Sequence, residues 1–304
     1  MLVTPAHNEK DFIELTIKSV VAQTVRPLMW VMVSDRSVDG TDEIIRSYAE
    51  RYPFIHLVRN DDKRSERNAA AKVHAINLGI EALGRTEYAY FGNLDADISF
   101  GETYFESLLQ HFESDNKLGV IGGRIFHIDK RGRTLEHNSS TDSVAGAVQF
   151  FRRECFHQIG GYQPIAGGME DGVAEITARY RGWKTHSFKG LPVLHHRELG
   201  VVGRSAYEAR FCNVLTEYVV GFSFPYHVIR ALSRVFERPY FIGSILVFSG
   251  YMWGLLSRRP KIIPYPIVRF VRREQMNKLF ALLLGKRVGR GLCVAKHDTN
   301  ETQP

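Results

Sequence analysis

The first hundred residues alternate short apolar runs with amphipathic segments, and this alternation limits the folds that the chain can adopt. Apolar runs between turn residues predict strands, and apolar residues spaced by three or four positions predict helices. After a first strand that ends near Pro5, the predicted elements are a helix at 9–24, a strand at 28–33, a helix from Thr41, a strand at 55–58, a helix at 73–83 and a strand at 88–94. Asn8 is predicted to cap the first of these helices. Such alternation favours a largely parallel sheet with helices on both faces.

Polar residues follow each of these predicted strands. In an open sheet of this kind, ligands bind beyond the carboxyl ends of the strands. The four polar segments are Pro5–Glu9, Ser34–Thr41, Arg59–Asp62 and Asp95–Asp97, and three of them are rich in acids. The carboxylates of Asp95 and Asp97 suit a hard divalent cation, Mg²⁺ or Mn²⁺, which would carry the phosphates of a nucleotide. A capped turn without a ligand is the alternative for this pair.

The pattern changes after residue 120. Further strands are predicted at 120–128, 147–152 and 183–188, with a turn at 160–162 and a helix at 171–181. Beyond residue 200 no strand is predicted, and a helical segment at 207–234 precedes an apolar run at 241–256. The C-terminal third is therefore expected to be helical.

Several protein classes lack their sequence signals here. No GxGxxG follows the first strand, which excludes a nicotinamide-dependent dehydrogenase. Pro5–Glu9 lacks the glycine-rich, basic loop expected of a nucleotidyltransferase, which is kept as the alternative enzyme on a related fold. Three widely spaced cysteines, Cys155, Cys212 and Cys293, argue against a disulfide framework or a zinc knuckle and suit a reducing compartment.

Four segments, in their order and spacing, resemble the motifs of the family 2 glycosyltransferases with the GT-A fold. They are Pro5–Glu9, Val33–Thr41, Leu94–Asp97 and Glu170–Asp171. The resemblance extends to about Arg197 and implies an α/β fold, a Rossmann-like mixed sheet with helices on both faces, followed by a C-terminal helical region. The expected organisation is a catalytic domain at 1–200 with a nucleotide-binding half at 1–97 and an acceptor half at 98–200, a helical, membrane-associated region at 201–290 and a tail at 291–304.

The resemblance also implies roles for the matched residues. Asp35 would hydrogen-bond the nucleobase, Asp95 would face the ribose and Asp97 would ligate Mn²⁺ or Mg²⁺. Asp171 would be the general base that deprotonates the acceptor hydroxyl, with a plain helix cap as its alternative role. The expected nucleotide-binding set is Pro5, His7, Asn8, Glu9, Asp35, Lys72 and Asp95.

Two positions depart from the family pattern. Ser34 stands where the family usually has an acid before Asp35, which leaves the choice of nucleobase open, and His7 stands where an aromatic residue is frequent. Lys72, at the start of the third predicted helix, is expected to hold the base or the phosphates, with a solvated surface charge as the alternative. Glu170 is expected to contact the acceptor or to orient its loop.

Two histidines and an arginine end the expected catalytic domain, at positions 195–197. Adjacent residues of an extended chain point to opposite sides, so only one histidine can reach the site. We expect His195 to complete the metal shell with Asp95 and Asp97, and a structural histidine is the alternative. Arg197 is expected to neutralise phosphate.

Basic residues are concentrated near the C-terminus. The formal net charge is +7, and eleven lysines and arginines lie at 257–297 against the single acid Glu274. Such a segment suits an anionic membrane surface, and nucleic acid is not expected as a partner. The apolar run at 241–256 is shorter than the roughly 20 residues of a spanning helix, and basic residues flank both its ends. A re-entrant or interfacial helix is expected there, with a buried core helix as the alternative.

These expectations combine into one function. An inverting, non-processive glycosyltransferase would move a sugar from a nucleotide-diphospho-sugar to a hydroxyl of a polyprenyl-diphosphate-linked saccharide, in polysaccharide or glycan assembly. Inversion is expected because one base is found without an enzymic nucleophile, and one apolar run is too little for a processive channel. The enzyme would lie on the cytoplasmic face of a bacterial inner membrane. A non-catalytic membrane adaptor is the alternative outside enzymes.

Overall fold

The computed structural model describes residues 1–62, 69–128, 133–136, 140–197, 206–233 and 242–284. The predicted tail at 291–304, Cys293 and the first residue of the apolar run, Phe241, lie outside the described residues. The chain forms two compact units. The first comprises Met1–His137 and Thr141–Gly200, and the second comprises Asn138–Ser140 and Val201–Pro304.

The first unit is built on a nine-stranded sheet. Its strands are β1 Leu2–Ala6, β2 Trp30–Asp35, β3 Ile55–Asn60, β4 Tyr90–Leu94, β5 Ile98–Phe100, β6 Leu118–Ile128, β7 Thr134–Glu136, β8 Val148–Arg152 and β9 Lys184–His195. Their order is β3-β2-β1-β4-β8-β6-β9-β5, with β7 paired to β6. Strands β3, β2, β1 and β4 are parallel, whereas β8 is antiparallel to β4 and β6. The expected mixed sheet with a parallel N-terminal half is confirmed.

Helices cover both faces of this sheet. They are α1 Ile13–Val21, α2 Thr41–Ala49, α3 Ala70–Ala82, α4 Tyr104–Ser114, α5 Arg153–Ile159 and α6 Glu170–Tyr180. Neighbouring residues of β2 point to opposite faces: Trp30 packs in one buried cluster with Ile13 of α1, and Val31 packs in a second cluster with Val73 of α3. A strand covered on both faces needs apolar side chains at successive positions, which explains its uninterrupted apolar sequence.

The first helix differs from the one predicted. It begins at Ile13, and Phe12 occupies its N-cap position. The prediction that Asn8 caps this helix was wrong, because Asn8 adopts a left-handed φ of 53° four residues before the cap. Its Oδ1 instead accepts a hydrogen bond from Val38 N at 2.9 Å, and its own N–H donates to Ser37 Oγ at 3.1 Å. Asn8 therefore ties the loops after β1 and β2 together.

Four elements of the first unit were not predicted, namely β5, β7, α4 and α5. The strands β5 and β7 have three residues each, too few to show a period. The buried residues of α4 do recur at helical spacing: they are Tyr104, Phe105, Leu108 and Phe112. On α5, Cys155 is completely buried, and this burial raises the pKa of its thiol to about 12.

Within its described residues, the second unit consists of four α-helices and the short turns between them. Its helices are α7 Ala206–Val220, α8 Phe224–Ser233, α9 Ile242–Leu256 and α10 Tyr265–Leu283. The helical segment predicted at 207–234 is two helices, because Gly221 adopts a left-handed φ of 101° that ends α7. A small core joins α7, α8 and α9 and contains Val214, Tyr218, Ala231, Val247 and Tyr251.

Helix α9 contains most of the apolar run. Among the described helices, none combines the length and the apolar character needed to cross a bilayer. Helix α9 buries Val247 and Tyr251 in the core of its unit. Its outer side is nevertheless apolar, with exposed side chains of Ile245, Phe248, Trp253, Leu255 and Leu256.

Candidate active site

A candidate metal site lies at the carboxyl edge of the sheet. Asp95 and Asp97 follow β4, and His195 is the last residue of β9. One ligand atom from each of these three residues lies within 4.8 Å of the other two. Carboxylate oxygens are the donors that Mg²⁺ and Mn²⁺ prefer, and an imidazole nitrogen can complete the shell of Mn²⁺. The three residues thus offer a donor set that fits the expected ion.

The short strand β5 brings His195 to this site. It pairs antiparallel with β9, and Ile98 lies directly opposite His195. His195 Nε2 is consequently 3.5 Å from Asp97 Oδ1. His196 turns to the other side: its N–H donates to the Asp97 carbonyl, its Nε2 is hydrogen-bonded to Ser99 Oγ at 2.8 Å, and its ring stacks on Phe12. Burial lowers the pKa of His196, so its ring is neutral at neutral pH.

Arg197 joins Asp97 to Glu9 of the first loop. Its Nε donates to Asp97 Oδ2 at 3.2 Å, and its terminal nitrogen donates to the Glu9 carboxylate. Burial raises the pKa of Glu9 to about 7, although the Arg197 charge opposes this effect. The arginine therefore places one cation among the acids that surround the candidate metal site.

Lys72 connects Asp95 to the acids of α6. Its Nζ lies 2.6 Å from Asp95 Oδ1, and its charge also interacts with Glu170 and Asp171. Burial alone would lower the pKa of Lys72, but Asp95 and Glu170 raise it well above its ordinary value. Lys72 is therefore a permanent cation between the two halves of the site, in closer contact with carboxylates than the sequence suggested.

Glu170 and Asp171 form the first turn of α6. Met169, before them, adopts a left-handed φ of 78°, which turns the chain into the helix. The Gly172 N–H donates to Asp171 Oδ1 at 2.7 Å, and the helix dipole favours anionic groups at this end. Burial raises the pKa of Glu170, an effect that Lys72 partly offsets. Asp171 therefore has its carboxylate at the start of a helix, where it interacts with the charge of Lys72.

The residues expected to bind the nucleotide lie at the ends of β1 and β2. Asp35, the last residue of β2, is 8% exposed, and its Oδ1 accepts hydrogen bonds from Asn60 Nδ2 at 3.0 Å and from Arg36 Nε at 3.1 Å. His7 Nδ1 is hydrogen-bonded to the Asp35 carbonyl. Pro5 lies within β1 opposite Val33, so the parallel register brings the two loops to the same edge.

Asp42, on α2, is a functional candidate that the sequence analysis missed. Ser34 donates a hydrogen bond to the buried Asp42, and Arg59 at the end of β3 pairs with the same carboxylate. The family usually has an acid at the position of Ser34. In this chain a neighbouring acid, Asp42, contacts Ser34 instead. The signal that could have found it is the acidic first turn of α2, at Asp42 and Glu43.

The structure thus brings most of the candidate residues to one edge of the sheet. Direct contacts link Asp97, His195, Arg197 and Glu9, and a carboxylate oxygen of Asp95 lies within 4.8 Å of the ligand atoms of Asp97 and His195. Lys72 extends this group toward Glu170 and Asp171, while Asp35 and His7 lie at the ends of the neighbouring parallel strands. Asn8 contacts the loop after β2 through its backbone and side chain.

A mixed sheet with this strand order and an acidic carboxyl edge defines the GT-A class of fold. Residues 1–169 match the family model described as glycosyl transferase family 2, and the chain belongs to that family. The minor teichoic acid biosynthesis protein GgaB of Bacillus subtilis is 29% identical over 160 residues, which cover 51% of this chain and 16% of that protein. The glycosyltransferase YibD of Escherichia coli is 33% identical over 109 residues, which cover 36% of this chain and 28% of YibD. The matches therefore span less than a third of either relative.

Two solved structures share the fold. The mannosyltransferase PcManGT from Pyrobaculum calidifontis, in complex with GDP-Man and Mn²⁺, superposes with a TM-score of 0.52 at 17% identity and covers 92% of this chain and 79% of its own. S. aureus TarS 1-349, in complex with UDP-GlcNAc, gives a TM-score of 0.56 at 10% identity and covers 94% of this chain and 91% of its own. These likenesses confirm the GT-A architecture.

Proposed function

We propose that the chain is a metal-dependent, inverting, non-processive glycosyltransferase. It would move a sugar from a nucleotide-diphospho-sugar donor to a hydroxyl group of an acceptor. The observation that carries this proposal is the position of Lys72, which forms an ion pair with Asp95 of the candidate metal site and interacts through its charge with Asp171 at the start of α6. The residues proposed to act on the donor and on the acceptor therefore share one neighbouring cation, Lys72.

Asp171 would act on the acceptor. The acceptor hydroxyl gives its proton to the Asp171 carboxylate as its oxygen forms a bond to the anomeric carbon, and the bond from that carbon to the diphosphate breaks. The Gly172 N–H fixes one carboxylate oxygen, which leaves the other for the proton. A single displacement inverts the anomeric centre, in keeping with the one base that the site provides.

The opposite side of the site would hold the donor. Mn²⁺ or Mg²⁺ at Asp95, Asp97 and His195 would supply Lewis-acid stabilisation to the departing diphosphate. Arg197 adds a guanidinium group that suits phosphate oxygens, and Lys72, which forms an ion pair with Asp95, would hold this carboxylate for the ribose. Asp35 and the Pro5–Glu9 loop would bind the nucleoside, a role supported by the nucleotide sugars bound to PcManGT and TarS.

The acceptor would be a saccharide linked to polyprenyl diphosphate, and the second unit would dock on the cytoplasmic face of a bacterial inner membrane. This part of the proposal rests on the exposed apolar side chains of α9 and on basic residues nearby in the chain. Apolar burial and attraction to anionic lipid act jointly at such surfaces. The name of GgaB as a teichoic acid biosynthesis protein supports an acceptor in surface-polymer assembly.

A donor panel tests the proposal. UDP-, GDP- and TDP-sugars are offered with Mn²⁺, with Mg²⁺ or with EDTA, and released nucleoside diphosphate is measured with and without a polyprenyl-diphosphate-linked saccharide. Release that needs both the ion and the acceptor is expected for one donor, with inversion seen by NMR of the product. Pyrophosphate released from a nucleoside triphosphate would instead identify a nucleotidyltransferase. Failure to bind any nucleotide would favour a non-catalytic adaptor.

A further inference from the structure

A buried polar network lies directly behind Asp171. Gln149 of β8 is 0% exposed, and Glu175 of α6 and Tyr162 are each 4% exposed. Their surroundings are the apolar cluster that packs α3, α5 and α6 against the sheet. Buried polar groups destabilise a fold unless they are hydrogen-bonded, so a network at this place needs a specific arrangement of partners.

Gln149 is the centre of this network. Its Oε1 accepts a hydrogen bond from Tyr162 Oη at 2.7 Å, and burial raises the pKa of that phenol well above its ordinary value, which keeps it a donor. Its Nε2 donates to the Val144 carbonyl at 3.1 Å, to Glu175 Oε1 at 3.3 Å and to the Asp171 carbonyl at 3.4 Å. The Val144 N–H donates to the same Glu175 carboxyl group. Glu175 and Gln149 together hold both backbone groups of Val144.

Residues 141–147 are fixed at several further points. The Ser187 N–H of β9 donates to the Thr141 carbonyl at 2.8 Å. The side chain of Asn93 on β4 donates to the Gly146 carbonyl at 2.8 Å, and the Asp95 N–H donates to the Ala147 carbonyl at 2.9 Å. The segment therefore runs from β9 past α6 to the strand end that carries the candidate metal ligands.

Gly146 is the point at which this segment meets the candidate base. A methyl group built on Gly146 would lie 2.6 Å from Asp171 Oδ2 and 3.0 Å from its Cβ and Cγ atoms. Such distances leave no room for any side chain. The backbone of Gly146 is thus packed directly against the carboxyl group of Asp171.

We propose that Glu175 and Gln149 are positioning residues for Asp171. By holding Val144 they fix the 144–147 segment, and Gly146 in turn confines the Asp171 carboxylate to one orientation. Neither residue is placed in contact with substrate. The inference rests on the proposed function, in which Asp171 accepts the proton of the acceptor hydroxyl.

The protonation of Glu175 agrees with this role. Burial raises the pKa of Glu175 to about 8, while the charge of Arg179 opposes the effect. Glu175 is therefore largely protonated at neutral pH and adds little negative charge beside Asp171. A glutamine has the same shape and keeps the oxygen that accepts from Val144 and Gln149, so it can replace the neutral acid.

A double-mutant cycle tests the inference in the full-length protein. Glu175→Ala is expected to lower kcat by about 10- to 100-fold with the donor KM unchanged, because the loss falls on the base. Glu175→Gln should restore kcat to within about threefold of wild type. In an Asp171→Asn background, Glu175→Ala should cost less than about twofold more, since residues that act as one unit are not additive. An undiminished effect in that background would overturn the inference.

The matched control is Gln23→Ala. Gln23 is also a buried amide with three hydrogen-bond partners, but these are Ser19, Gly101 and Phe105 on the opposite face of the sheet. Its removal should lower Tm as Glu175→Ala does while leaving kcat near the wild-type value. A parallel loss of kcat in both variants would assign Glu175 a general structural role and would also overturn the inference.

Amide hydrogen exchange gives a readout that does not need turnover. Exchange in the peptide that contains residues 143–148 should become faster in Glu175→Ala but not in Glu175→Gln or Gln23→Ala. Unchanged exchange in Glu175→Ala contradicts the positioning role even if the enzyme is active. If the wild type transfers no sugar, the proposed function fails, and the exchange experiment still decides whether Glu175 holds the segment.

Discussion

His195 and His196 are neighbours in the chain, yet their imidazoles point to opposite sides of it at the end of β9. His195 Nε2 lies 3.5 Å from Asp97 Oδ1, whereas His196 is hydrogen-bonded to Ser99 and stacks on Phe12. The two side chains separate because successive residues of an extended chain face opposite ways. One histidine can thus join a metal shell while the other anchors the strand that positions it.

The metal site gives the first prediction. Asp97→Asn should abolish Mn²⁺-dependent binding of the nucleotide, because the ion loses an anionic ligand, and His195→Ala should weaken it by about tenfold or more, because it removes a donor nitrogen. The measurement is isothermal titration of the donor nucleotide with and without Mn²⁺. His74→Ala, which removes an exposed imidazole from α3, is the control. Full Mn²⁺-dependent binding by Asp97→Asn would show that the ion lies elsewhere.

The candidate base gives the second prediction. Asp171→Asn should reduce kcat by about 10²- to 10⁴-fold, the usual effect of losing a general base, and should leave donor affinity nearly unchanged. Steady-state kinetics with the donor and the acceptor varied separately would measure both effects. A variant that binds donor poorly but turns over normally at saturation would place Asp171 on the donor side.

Gly146 supplies a third prediction. Gly146→Ala should lower kcat by about tenfold or more, because its methyl group would push the Asp171 carboxylate out of place. Gly101→Ala is the matched control, since a methyl group there meets no atom within 4 Å. Kinetics and thermal unfolding of both variants would separate a local effect from a loss of stability. Equal kcat values for the two variants would contradict the close contact.

The buried acid of α6 makes stability depend on pH. The pKa of Glu175 is raised to about 8 in the folded chain, so between its ordinary value and that pH the folded state keeps a proton that the unfolded state has lost. Stability from this group is complete at low pH and falls as the pH rises toward 8, by at most about 1.4 kcal/mol per pH unit. The Tm of Glu175→Gln relative to that of wild type should therefore rise between pH 5 and pH 8.

The charged and titratable groups that face Glu175 are Asp171, Arg179 and Tyr162. Differential scanning fluorimetry across this pH range would measure the Tm difference, with Glu154→Gln as the control for loss of one exposed carboxylate. A difference between wild type and Glu175→Gln that stays constant with pH would show that Glu175 is already ionised in the fold.

The fifth prediction concerns the bilayer. Of the basic residues near α9, Lys261 donates to the Tyr218 carbonyl and Arg272 donates to the Gly221 carbonyl, so both serve the helical unit itself. The exposed ones available to lipid are Arg258, Arg259, Arg269 and Arg273. Replacing these four by glutamine should weaken flotation with phosphatidylglycerol vesicles more than with neutral ones, because each contributes about 1 kcal/mol near an anionic surface.

An apolar arm completes this experiment. Leu255→Ser with Leu256→Ser should weaken flotation with both vesicle types, since it removes exposed apolar surface without changing charge. High salt alone should release little wild-type protein, and detergent should release it fully. Wild-type protein that fails to float with either vesicle would remove the main support for a lipid-linked acceptor.

The sequence predicted the parts of the fold that depend on local pattern. The apolar runs predicted β1 to β4, and the order and spacing of the motifs predicted Asp97 and Asp171 as site residues. The contact of His195 with Asp97 was expected, but the strand pairing that produces it was not predicted. The pairing of β5 with β9 brings His195 to Asp97 from nearly a hundred residues away, and no period in a three-residue strand announces it. The approach of Gly146 to Asp171 likewise arises from packing alone.

The buried thiol of Cys155 can report how often the first unit opens. A thiol with its pKa raised to about 12 and no exposed surface reacts with alkylating reagents only when its surroundings open. Cys212 of α7 is partly exposed and belongs to the second unit. Timed alkylation followed by peptide mass spectrometry would therefore record the opening of the first unit at Cys155, with the partly exposed Cys212 as a thiol that reacts without such opening.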